Sequence, residues 1–110
     1  MAIIKKKIAW WNNVGFASQY HVRIVPTGSV VDPTDQEEME VIPFVVVAQS
    51  ELDQIESNIA ELGLDIEDGL YDVFVSAADQ RENESNPLEF REVVLDFTPP
   101  PAPTVGGFRS

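Results

Sequence analysis

The chain has 110 residues, no cysteine, and 19 acidic side chains against 7 Lys and Arg, a formal net charge of −12 at neutral pH. That length suits one domain, and a hydrophobic content of 44% supports a folded core rather than global disorder. The composition excludes disulfides, thiolate metal sites and cysteine nucleophiles, and the acidic excess disfavours nucleic acid and anionic lipid as partners.

The N-terminus carries Lys5, Lys6 and Lys7 ahead of the short apolar run IAWW. This is too brief for a secretory signal, and nowhere is there an apolar run of the roughly 18 residues that a membrane-spanning helix needs. The compartment stays open, with an extracellular, cell-surface or virion setting favoured. From Ile8 onward only Arg23, Arg81, Arg91 and Arg109 stand against all the carboxylates. The lysines therefore give the chain an electrical polarity, either as a solvated end or as a cluster docking on an acidic body.

Residues 3–11 read as one strand or two short ones. Trp10 and Trp11 are adjacent, so in a strand one enters the core and the other faces out. Tyr20–Val25 alternates, with Tyr20, Val22 and Ile24 on one face and His21 and Arg23 on the solvent side; Pro26 and Gly28 close it. A polar, acidic loop follows over Val31–Glu40, then an apolar strand over Val41–Ala48 with Pro43 at an edge or bulge. Ser50 to Asp53 has the spacing of a capping box, and Leu52, Ile55, Ile59 and Leu62 recur at helical spacing before Gly63, predicting a short amphipathic helix over 51–62.

Leu70–Ala78 is the best-marked strand. Tyr71, Val73, Val75 and Ala77 alternate between Asp68-Gly69 and a polar run that ends at Pro87. Phe74 falls on its outward face, so it is covered within the chain or serves as a contact. A last strand is expected over Phe90–Phe97. The tail, TPPPAPTVGGFRS, is stiffened by proline, with Phe108 as its best anchor. Many short strands with one brief helix make a β-sandwich the economical architecture. Its expected core draws on one or both tryptophans, Tyr20, Val22, Ile24, Val45, Val47, Leu64, Tyr71, Val73, Val75 and Val94.

Over Gly69–Asp79 (GLYDVFVSAAD), continued by Asn83-Glu84-Ser85, the chain resembles a fibronectin type III module, an immunoglobulin-like β-sandwich. The resemblance implies that Tyr71 is a corner residue whose hydroxyl bonds the backbone near Leu64 to Asp68. It implies too that Trp10 or Trp11 is the buried early tryptophan. The resemblance spans roughly residues 8–97 and is specific over 69–85. It departs from the family in the long acidic loop, in the helix at 51–62, and in having almost no chain before the putative second strand. Asp96–Thr104 is similar to the segment that opens a following module of that family. The domain is thus read as residues 1–97, and 98–110 as a tail that links passively, packs on its own domain, or adds a strand to a neighbouring copy.

Sites of chemistry are sparse. His21 is the single histidine, and no partner can be tied to it by sequence. The loop carboxylates Asp65, Glu67 and Asp68, and Asp79, Glu82 and Glu84, are of a type that holds calcium, without EF-hand spacing; no other cofactor is indicated. These readings point to a non-enzymatic structural or interaction protein that forms homo-oligomers through its termini in a surface, filament or virion-like assembly. The contact candidates are Lys5, Lys6, Lys7, Trp11, Phe74, Val105 and Phe108. A monomeric module binding protein or glycan, with an exposed tryptophan as platform, is the alternative.

Overall fold

The computed structural model describes residues 7–59, 68–95 and 101–109. Among them, β1 (Ile8–Asn12) and β4 (Gln54–Asn58) form a two-stranded antiparallel sheet, with Trp11 opposite Ile55. The second sheet, also antiparallel, has the order β3 (Val45–Ala48), β2 (Gln19–Pro26), β5 (Gly69–Ala78), β6 (Leu88–Leu95). A five-residue helix, α1 (Gln36–Glu40), lies in the connection between β2 and β3.

Alternation explains how the sheets meet. Tyr20, Val22, Val73 and Val75 point inward from the larger sheet, Trp11 and Ile55 from the smaller one, and Ile59 and Leu95 complete this core. Trp11 meets Tyr20 edge to face at 5.6 Å between ring centroids, a geometry that suits the ring quadrupoles. This is the layering of a β-sandwich, mainly β and antiparallel throughout. The two tryptophans split as neighbours on a strand must: Trp11 is buried and Trp10 is 58% exposed.

A second, smaller core covers the other face of the larger sheet. Val30 and Met39, delivered by the β2–β3 connection, pack on Phe74. Asp35 caps α1 by accepting from the Glu37 N–H at 3.0 Å, and Glu38 accepts from the Val31 N–H at 2.6 Å, which folds the loop back on the helix. The segment expected to be a plain acidic loop is therefore a lid over the sheet. Phe74 has no exposed surface and is covered within its own chain.

Three expectations are corrected. No helix occupies residues 51–58: the chain turns at 51–53 and then forms β4. Ile55 and Ile59, four apart, satisfy a strand period as well as a helical one, and both are buried in the core. Ser50 does accept from the Leu52 N–H, but in a local turn, and Leu52 is exposed. Second, His21 and Arg23 lie under the lid rather than on a solvated face.

The third correction concerns Val94, expected in the core and found exposed. Asp72 of β5 faces both Arg91 and Glu92, because the register slips between Tyr71 and Val73. Glu92 adopts a positive φ of 54° there. The bulge reverses the alternation, so that Val93 and Leu95 turn inward and Val94 outward. Leu64, Lys5, Lys6 and residues 60–62 lie outside the described residues.

Candidate interaction surfaces

Beneath the lid two charge clusters replace the solvated face that alternation suggested. Arg23 donates from Nη1 and Nη2 to the two Glu84 carboxylate oxygens at 2.7 and 3.1 Å, and from Nε to the Ile42 carbonyl at 3.2 Å. His21 lies between Glu84, 3.0 Å from its Nδ1, and the Gln19 amide, 2.8 Å from its Nε2. The Phe44 ring stacks on the imidazole at 3.9 Å and also lies under the Arg23 guanidinium. The hydrogen bond from Arg23 holds the Glu84 carboxyl below its usual range, outweighing partial desolvation, and the Arg23 charge and His21 add to the effect. A groove of about 310 Å³ runs beside this cluster, with Thr34, Gln36, Ser76 and Asn83 in its wall.

Asp72 anchors the second cluster. Its side chain is 1% exposed. Burial alone would raise its pKa, yet N–H groups of Glu92 and Gly28, the Arg91 guanidinium and the Thr27 hydroxyl all donate to it and hold it at about 2. Arg91 also caps the Phe74 ring at 4.9 Å from its centroid. The bulge, the lid and the sheet are thus joined at one carboxylate. Both clusters are held by internal partners, so their residues cement the fold.

The candidate surfaces lie elsewhere. Among the described residues β1 pairs only with β4. Asn13 N–H donates to the Asp53 carbonyl and Ile59 N–H to the Lys7 carbonyl, at 2.8 and 2.9 Å. Those bonds, together with the register, set the odd-numbered residues of β1 facing β4. In an antiparallel ladder the backbone groups alternate in direction, so the N–H and C=O groups of Ile8, Trp10 and Asn12 point to the open side. This edge is uncharged, with Ile8 and Trp10 half-exposed. Open edges are ordinarily guarded by charge or by irregularity. Glu56 guards β4, while Glu89, Arg91 and the bulge guard β6.

Residues 101–109 form no regular structure and are exposed throughout, with Val105 and Phe108 fully bare. At the end of the sandwich away from Leu95, the β1–β2 loop is tied to the β3–β4 loop. Asn13 Nδ2 donates to the Ser50 and Leu52 carbonyls, both at 2.8 Å, and Gln49 Nε2 to those of Val14 and Ala17. The Tyr20 hydroxyl donates to Asn13 Oδ1 and accepts from the Val14 N–H, both at 2.7 Å. The resulting tip presents Phe16, 97% exposed, and Leu52.

Of the contact residues expected from sequence, Val105 and Phe108 are exposed and Lys7 is exposed at the start of β1. Trp11 and Phe74 are buried, so neither presents a surface in the isolated chain. Trp11 Nε1 has no hydrogen-bond partner among the described residues. Of the two acidic groups, Asp79 ties the β5–β6 turn through Arg81 and Asn83, and Glu84 pairs with Arg23. Asp65 and Glu67 lie outside the described residues, as does most of the loop expected to receive the Tyr71 hydroxyl. Sequence reasoning left open which tryptophan faces out, named Trp11 as the contact where Trp10 is the exposed one, and missed the β1 edge. The lack of charge in IAWWN was a signal, but edge position is a property of the assembled sheet. No protein-family model matches the chain, and no curated protein and no solved structure matches it either.

Proposed function

We propose that this chain is a non-enzymatic structural protein, a fibronectin type III-like β-sandwich that joins with copies of itself through its terminal segments into a surface, filament or virion-like assembly. The observation that carries the reading is the coexistence of two unsatisfied features in one chain. One is the uncharged open edge of β1; the other is an exposed C-terminal tail bearing bare apolar side chains. A solvated tail gains nothing from displaying Val105 and Phe108, and burying each contributes roughly 1.5–3 kcal/mol.

The charge clusters support a structural role as well. His21, the side chain best suited to acid–base chemistry, is held between two partners and sealed by Phe44. The high negative charge keeps the subunits soluble before they assemble.

The test is the mass of the chain in solution, followed by light scattering over a concentration series, with and without residues 98–110. The full chain is expected to form oligomers and the truncated chain to be monomeric. Oligomers of the same size from both chains, or a full chain that stays monomeric at every concentration, would sink the reading.

A further inference from the structure

We infer that residues Ala102–Phe108 of one copy add to β1 of a second copy as an antiparallel third strand, with Val105 opposite Trp11 and Gly106 opposite Trp10. The inference rests on the assembly reading above and specifies how the contact is made.

A two-stranded sheet is marginal by itself, and a third strand stabilises it. Among the described residues the β1–β4 sheet has only two. β3 also offers an uncharged edge, but it spans four residues and already belongs to a four-stranded sheet.

The prolines of the tail share one parity. In an extended segment, successive residues direct their backbone groups to opposite sides. Pro101 and Pro103 both fall on odd positions, so the side without their N–H groups can face solvent, as proline in a strand requires. The even residues Ala102, Thr104, Gly106 and Phe108 keep every N–H. They would meet Ile8, Trp10 and Asn12, the β1 residues whose backbone groups point outward.

Parity also settles the side chains. Residues that exchange hydrogen bonds across an antiparallel pair share a face. Phe108 and Thr104 would thus join Ile8, Trp10 and Asn12 on the outer face, while Val105 would point inward alongside Trp11. Gly106, with no neighbour within 4 Å of where a side chain would begin, comes opposite Trp10 and leaves room for the indole to cover it. Thr104 then meets Asn12, and Phe108 meets Ile8.

The chain leaves β6 at Leu95, beside Gly69, at the end of the sandwich where β1 begins; the tied loops and β1's last residue are at the other end. A tail turning back on its own β1 would run parallel to it. A tail from a copy stacked end to end would run antiparallel. Each residue adds ~3.3 Å, so nine residues span ~30 Å against the ~17 Å of β1.

The chain has no cysteine, so single cysteines report contacts cleanly. A chain carrying only Asn12→Cys, mixed with one carrying only Thr104→Cys, is expected to give a disulfide-linked heterodimer, because paired strands fall within disulfide reach. Thr104→Cys is expected not to link to Ile8→Cys. Preferential linking to Ile8→Cys or to Val46→Cys on β3, or a link within one chain of the double variant, would overturn the inference. Gly106→Pro removes a donor that the pairing uses, and Gly107→Pro one that faces solvent. Neither touches the folded body. The first should abolish oligomers in light scattering and the second should spare them; equal effects would overturn the inference. Oligomers that persist without the Asn12–Thr104 link defeat only this inference. A full chain that is monomeric throughout defeats the assembly reading too.

Discussion

Asp72, on β5, ties the larger sheet to the chain that crosses its outer face. Its carboxylate collects donors from the β2–β3 turn, from β6 and from the backbone of the bulge, and is shielded from water. Asn at this position would present an N–H₂ to those donors and leave Arg91 paired with Glu89 alone. Leaving a buried donor without its acceptor costs about 2 kcal/mol. Asp72→Asn should therefore lower Tm by roughly 10 °C or more, given about 4–8 °C per kcal/mol for a small domain. The folded-state pKa, about 2, is depressed from 3.8. Its stabilising contribution is therefore complete above about pH 4 and is lost as pH falls toward 2. Glu84, lowered in the same direction, reinforces the trend. Thermal melts stepped from about pH 5 down to about pH 2 should show the native chain losing stability steeply in that window. Asp72→Asn should show a shallower loss; parallel profiles would dismiss the assignment.

At the scale of the elements, the bulge in β6 carries a local conflict. Glu92 holds a φ of 54°, which costs a residue with a Cβ about 1–2 kcal/mol. Glycine there avoids that cost and loses about 0.5–1 kcal/mol in chain entropy. Glu92→Gly should thus gain up to about 1 kcal/mol in urea unfolding, keeping the backbone N–H that donates to Asp72. Glu92→Val should lose stability, and a loss with glycine as well would show that the Glu92 side chain itself matters.

This bulge also marks the limit of what alternation reveals. β2 and β5 were legible because their inward residues recur every second position without interruption. Past Glu92 the same rule placed Val94 inside, since nothing local in FREVVLDF announces an extra residue. The helix predicted at 51–62 gave way over 51–58 for a different reason: a spacing of four between Ile55 and Ile59 fits both periods, and pairing with β1 made 54–58 a strand. His21 and Arg23 read as solvent-facing because polar residues usually are. Their burial depends on a lid whose helix, five residues long, is too short to leave a periodic trace. Of the candidate surfaces, the tail was visible in composition alone, whereas the edge of β1 exists only once the strands are ordered.

At the scale of the whole molecule, the two sheets differ in how completely they are enclosed. β2 lies between β3 and β5, and β5 between β2 and β6. Their inner residues face the main core, and their outer ones lie beneath Phe44, Val30 and Met39. The β1–β4 pair has one core face and a bare edge. Its amide hydrogens should therefore exchange with solvent through local opening, while those of Val22–Ile24 and Val73–Val75 wait for global unfolding. Hydrogen–deuterium exchange at dilute and at high protein concentration would separate the two classes. The outward amide of Trp10, which meets no acceptor among the described residues, should exchange at once in the monomer. A neighbour's strand would slow it manyfold, while leaving the rates within β2 and β5 unmoved. The unguarded edge thus doubles as an isotopic clock for assembly, read at a single backbone nitrogen.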